Sequence, residues 1–193
     1  QNQSGVFMAR TNKKTFSTKD LIFVAPMAAL ICVLAPMSIP GSSVSGVPIT
    51  LGTFALYLTA AVLGHKKGTL CVVIYLLLGA VGVPVFAGWT AGFQKFASAS
   101  GGYLVGYLPL VFVAGLLIES RPNNTYIYFI GMLAGTALCY LLGTLWMAFL
   151  LKMNLQAAFM AGVVPYVAGD CVKIFAAAML GYPLRRGVKK ITG

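Results

Sequence analysis

Asp170 and Lys173 stand three residues apart in the run Pro-Tyr-Val-Ala-Gly-Asp-Cys-Val-Lys, positions 165–173, inside an otherwise uncharged apolar stretch. At i and i+3 of a helix the two side chains leave the same face, so one anionic acceptor and one cationic donor meet a single space. Such a wall suits a ligand with a neutral polar head carrying N–H donors and with a carboxylate tail. It also suits an ion pair that only satisfies itself inside a helical bundle. A binding site is the preferred reading, because charges at membrane depth are costly and default to function, and Gly169 permits close approach.

The elements that must position this pair are membrane helices. The chain is 59% hydrophobic and only 9% charged, against roughly 25% charged in soluble domains. Uncharged runs cover 21–64, 68–94, 96–118, 122–151, 153–169 and 174–184. No alternating pattern of short strands is present, so a membrane β-barrel is not expected. An all-α integral membrane protein follows, a compact bundle of six transmembrane helices over about 20–37, 49–64, 68–83, 101–118, 125–151 and 165–183. Pro36 to Pro48 break the first run, Lys66 and Lys67 mark a tight turn, Pro84 ends the third span, and Pro122 to Asn124 separate the fourth from the fifth. The expected layout is an N-terminal arm over 1–19, a membrane domain over 20–183 and a basic tail over 184–193. Residues 1–7 precede the first Met and look like a remnant of an expression vector, and no cleavable signal peptide is expected.

The net charge of +11 raises nucleic acid as a partner, but position argues against it. Arg10, Lys13, Lys14 and Lys19, then Lys66, Lys67 and Arg121, then Arg185, Arg186, Lys189 and Lys190 abut ends of apolar segments. With six spans and the N-terminus inside, these eleven basic residues face the cytoplasm, against Lys95 and Lys152 outside. Both termini are therefore expected to be cytoplasmic. Pro165 then opens the last helix at the outer face, with Asp170 and Lys173 about 7 and 12 Å further in. The expected pocket opens outward. The outer connections 38–48, 84–100 and 152–164 are long, and Phe86, Trp89, Phe93 and Phe96 in the second can be an interfacial aromatic belt or a lid.

Other signals are modest. Small-xxx-small steps at Ala25/Ala29, Gly88/Gly92, Gly102/Gly106 and Gly131/Gly135 imply close helix packing. Cys32, Cys71, Cys139 and Cys171 read as packing residues, and His65 as an interfacial one. No cofactor and no metal site is expected, because no Cys or His spacing matches a ligand set. A phosphate-binding loop, a hydrolase elbow and a paired carboxylate are missing, so the chain is expected neither to hydrolyse ATP nor to act as an enzyme.

At this point the residues resemble a family. Gly-Val-Pro-Ile-Thr-Leu-Gly-Thr-Phe at 46–54, Tyr-Leu-Leu-Leu-Gly-Ala-Val-Gly-Val-Pro-Val-Phe-Ala-Gly at 75–88, Gly-Gly-Tyr-Leu-Val-Gly-Tyr at 101–107 and the run at 165–173 occur in order. Together they are similar to the BioY family, the biotin-specific substrate-binding (S) components of energy-coupling-factor (ECF) vitamin transporters. The resemblance implies a six-helix bundle in the cell membrane of a prokaryote that captures biotin from outside. It implies partners: a transmembrane coupling (T) subunit and two ABC ATPase subunits, which supply the energy. It assigns Asp170 and Lys173 to the biotin site, and Ala25 and Ala29 of the first helix to contact with the coupling subunit. Asp170 would accept a ureido N–H, while Lys173 would serve the ureido carbonyl or the carboxylate. Trp89, Tyr103 and Tyr166 are candidates for stacking or lid contacts, with a membrane-belt role open for each. The chain carries Gly52 where many members have Gln.

Three other readings compete. The fold can serve a different vitamin. The chain can be an autonomous ion-coupled permease with Asp170 and Lys173 as a proton-linked pair. An intramembrane enzyme is the third, disfavoured by the scarcity of acid–base residues.

Overall fold

Away from water each peptide group must find its partner inside its own segment, which leaves long apolar runs little choice but helix. The computed structural model describes residues 18–38 and 47–192. The N-terminal arm through residue 17, with the proposed remnant over 1–7, and the turn residues 39–46 lie outside the described residues. Six α-helices are described: α1 (Thr18–Leu34), α2 (Gly52–Ala80), α3 (Gly101–Ser120), α4 (Thr125–Leu151), α5 (Leu155–Gly162) and α6 (Val164–Thr192), with a 3₁₀ turn at Phe93–Ala97.

The α2 segment is two helices folded back on each other. Gly64 adopts φ 76° and ψ −167°, a backbone region open to glycine and strained for other residues. Gly68 then packs beside Thr59 and Ala60, which a straight helix would hold about 12 Å away. The reversal therefore falls at Gly64 rather than at Lys66 and Lys67, which belong to the second half. A side chain at Gly64 would collide with the Glu119 carboxylate, and one at Gly115 with the His65 backbone. Two glycines thus let the turn nest against the end of α3.

His65 belongs to a charged cluster at this turn. Its Nδ1 pairs with Glu119, which also lies 3.6 Å from the Arg185 guanidinium. Arg185, buried on α6, donates at 2.9 Å to the carbonyl of Ala61. The break at Gly64 leaves that carbonyl near a helix end, where a cation is a favourable cap.

The tightest crossing joins α3 and α4. A methyl added at Gly106 would meet Cys139 at 3.0 Å, one at Gly131 would meet the Ala114 carbonyl at 3.0 Å, and one at Gly135 would strike the Leu110 carbonyl. These small-xxx-small positions are helix contacts. Gly88 and Gly92 are not: both have positive φ in the connection after α2. The 152–164 connection, expected as a loop, contains α5, whose N-terminus is capped by the Asn154 side chain accepting from Ala157 N at 2.7 Å. α6 runs past residue 183 through Thr192, so the basic tail continues the helix.

Four helices are long and apolar enough to cross a membrane: Gly52–Ala80, Gly101–Ser120, Thr125–Leu151 and Val164–Val188, with Leu21–Leu34 apolar but shorter. Because α2 folds back, its halves rise only about 18 and 24 Å. The bundle surface exposes large apolar side chains such as Leu77, Ile130, Leu141, Phe149 and Phe175, as a lipid-facing exterior must.

Candidate functional site

One turn into α6, past Pro165, the helix carries Asp170 and Lys173 inward. Asp170 is 5% exposed. Lys173 Nζ reaches Asp170 Oδ1 at 3.0 Å, so the i,i+3 spacing does bring the two charges onto one face. The pair is embedded in a network that draws on three further segments. Thr53, at the start of α2, donates to Asp170 Oδ1 at 3.0 Å, and Tyr140 of α4 donates to Oδ2 at 2.6 Å. Lys173 also donates to the Thr50 carbonyl at 2.7 Å and to Thr53 Oγ1 at 3.0 Å.

Counting groups shows what is spare. An ammonium has three protons, and all three of Lys173 are used within the protein. A carboxylate offers about four acceptor sites; Thr53, Lys173 and Tyr140 take three, leaving one on Oδ2. Nearby, Thr136 Oγ1 donates to Met132 O at 2.7 Å, so the 2.8 Å bond between Tyr57 and Thr136 must run from the Tyr57 hydroxyl. The Tyr57 oxygen keeps its lone pairs. Asp170 Oδ2 and the Tyr57 oxygen are therefore both open to a donor in the chamber that holds Asp170.

That chamber, about 50 Å³, is lined by Val47, Pro48, Thr50, Thr53, Tyr57, Tyr103, Tyr107, Thr136, Tyr140, Tyr166 and the charged pair, among others. A wider cavity of about 230 Å³ shares Val47, Pro48, Thr50, Tyr103 and Tyr107 with it, and adds Ser38, Tyr75, Phe86, Thr90, Lys95 and Ser100. The two form a narrow inner chamber behind a roomier vestibule.

The loops that line the vestibule are tied to one another and to α2 through their backbones. Ser38 and Thr50 bridge in antiparallel fashion, and Leu51 N donates to Met37 O. Gly88 N donates to Pro36 O at 3.0 Å and Gly92 N to Gly79 O at 2.8 Å. Phe86 lies over Gly79, which leaves room for the ring only as glycine, and stacks edge-on with Tyr75 and Phe96. Trp146 of α4 donates to Ser98 O at 2.9 Å.

The remaining candidates divide. Tyr103 and Tyr166 are buried in the chamber wall. The Tyr103 hydroxyl donates to Gly162 O at 2.9 Å, and its ring fills the space left by Gly143. The Tyr166 hydroxyl bonds to Val47 O. Trp89 is 63% exposed and lines neither cavity, although Gly88 and Thr90 on either side do. Phe93 is likewise exposed, so the aromatic loop splits into an inner pair, Phe86 and Phe96, and an outer pair, Trp89 and Phe93. Ala25 and Ala29 lie on the exposed face of α1 beside Ile22 and Val33. Among the described residues no His, Cys, Asp and Glu group could hold a metal ion.

Sequence reasoning passed over Thr53, Tyr57, Thr136 and Tyr140. A signal existed: Thr136 and Tyr140 are polar residues one turn apart in the apolar α4, and Thr53 stands in the quoted 46–54 run. Nothing local connected them to Asp170, which is 117 residues from Thr53. Gly52 has its own packing reason, since a Cβ there would sit 3.0 Å from Ala35 Cα.

Comparison with known proteins agrees with this architecture. The profile of the BioY family matches residues 9–190. A biotin transporter BioY of Thermotoga maritima is 39% identical over 168 residues, 87% of this chain and 96% of the relative. A probable biotin transporter BioY of Pyrococcus horikoshii is 35% identical over 167 residues, 86% and 96% of the two chains. The crystal structure of an S-component for biotin from an ECF-type ABC transporter superposes with a TM-score of 0.80 at 28% identity, covering 92% of this chain and 95% of that one. These relatives are transporters rather than enzymes, and their sources are prokaryotes. This multi-pass membrane protein belongs to the BioY family.

Proposed function

We propose that the chain captures biotin at the outer face of the plasma membrane, as the S component of an ECF-type ABC importer. The observation that carries the reading is the inner chamber, where a fixed anion, Asp170, keeps one acceptor site open beside the unused Tyr57 oxygen. The ureido ring of biotin has two N–H donors to offer such a pair, and its thiophane ring and valeryl chain suit the apolar walls. As it stands the chamber has room for a few waters only, so entry of the bicyclic head widens it.

Six membrane crossings are part of the proposal, the two short halves of α2 counting as one each, with both termini in the cytoplasm. The basic groups at Lys66, Lys67, Arg121 and the end of α6 support that orientation. A coupling subunit and two ABC ATPases are the proposed partners, and α1 is the proposed docking helix. Its exposed Ala25 and Ala29 leave a groove into which another membrane helix fits closely.

The test is biotin binding to the purified protein in detergent, by calorimetry or Trp fluorescence, with riboflavin and thiamine as controls. Selective binding of biotin without ATP is expected. A well-folded preparation that binds another vitamin instead keeps the fold and removes biotin as the ligand. Uptake by the chain alone, driven by an ion gradient in vesicles, would replace the importer reading with an autonomous permease.

A further inference from the structure

The cavity has a second cation, apart from the Asp170 pair. Lys95 lines the vestibule from the 3₁₀ turn, half-buried, and its ammonium has no hydrogen-bond or ion-pair partner among the described residues. Lys173, by contrast, spends its three protons on Thr50 O, Thr53 Oγ1 and Asp170 Oδ1. A ligand anion could claim Lys173 only by breaking one of those bonds, and would then lie within a few ångströms of the Asp170 carboxylate, which repels it. The two cations stand in different compartments: Lys173 in the inner chamber, Lys95 in the vestibule beyond the shared wall of Thr50, Tyr103 and Tyr107.

We propose that Lys95 receives the carboxylate of the ligand whose polar head lies against Asp170, so that the cavity selects a molecule with a hydrogen-bonding head and an anionic tail. Lys173 then acts as a positioning residue, holding Asp170 and the 47–50 loop in place, and leaves the tail to Lys95. Ser38, Thr90 and Ser100, which line the same vestibule, give the tail a polar surround. This assignment rests on biotin being the ligand.

The experiment compares biotin with biotinamide, whose tail is neutral, on the full chain and on Lys95→Gln, Lys95→Arg and Lys173→Gln. A charge-assisted bond at a half-buried site is worth about tenfold in affinity. The wild type is expected to favour biotin over biotinamide by about that factor, with the preference shrinking as ionic strength rises. Lys95→Gln is expected to remove the preference by weakening biotin alone, and Lys95→Arg to restore it. Equal affinity of the wild type for the two probes overturns the proposal. So does a preference that survives Lys95→Gln, or one abolished by Lys173→Gln alone, which puts the tail in the inner chamber. If the folded wild type binds neither probe, the biotin reading itself fails, and that result is distinct from any of these.

Discussion

Lys173 Nζ donates a 2.7 Å hydrogen bond to the backbone carbonyl of Thr50, 123 residues earlier in the chain. One intramembrane lysine thereby ties the last helix to the loop that forms the floor between vestibule and inner chamber. The same ammonium pairs with Asp170 at 3.0 Å, so one group links the carboxylate of the site to its loop.

Breaking that pair from one side is more harmful than removing it. Lys173→Ala leaves the Asp170 carboxylate without its buried counter-ion, at an expected cost of about 3 kcal/mol. The double variant Asp170→Asn, Lys173→Met should recover most of the thermal stability yet fail to bind biotin. Melting of the detergent-solubilised protein, run alongside calorimetry, separates a structural pair from a binding pair. If both single variants bind biotin as the wild type does, Asp170 and Lys173 are not the site.

Tyr140 donates the shortest bond to Asp170, 2.6 Å to Oδ2. Tyr140→Phe keeps the ring and removes that donor to a charged acceptor, which corresponds to about tenfold or more in affinity if the carboxylate shifts. Thr53→Val should act in the same direction through Oδ1. Unchanged biotin affinity in both would show that the orientation of Asp170 is set by Lys173 alone.

The α3–α4 crossing is predicted to be intolerant of added volume. At Gly135 a side chain would strike the Leu110 carbonyl, and backbone cannot yield as a flexible side chain does. Gly135→Val should destabilise the bundle by about 2 kcal/mol or more, read as early loss of the monodisperse peak on heating. Gly169→Ala serves as the control, because a Cβ there meets nothing within 4 Å.

Ala25 and Ala29 face outward from α1, so bulk at either position should leave the isolated protein intact. Ala25→Trp or Ala29→Trp is expected to bind biotin like the wild type but to lose co-purification of the coupling and ATPase subunits. Retention of those subunits would move the docking surface off α1.

Much of the architecture is legible in the sequence. Partition of a segment between water and apolar surroundings depends on its local composition, and so does the punctuation by Pro, Gly and basic residues. The expected span at 125–151 coincides with α4, and those at 20–37, 101–118 and 165–183 fall on α1, α3 and α6. Asp170 and Lys173 were legible for the same reason: a charge in an apolar run is conspicuous, and helical spacing alone puts the two side chains together. The turn at Gly64 was misplaced because Lys66 and Lys67 mark the helix end by charge, whereas the reversal needs a glycine fitted between Glu119 and α3.

Tertiary structure decided everything that joins distant positions. Thr50, Thr53, Tyr57, Thr136 and Tyr140 are ordinary polar residues in their own segments, and only the folded bundle converges them on one carboxylate. Tyr103 and Tyr166 entered the chamber wall while Trp89 turned outward, although all three looked alike as aromatic residues near an outer face. Sequence specifies what each helix can bury; which side chains then share a cavity depends on crossings set by Gly106, Gly131 and Gly135, whose missing side chains bring α3 and α4 into backbone contact.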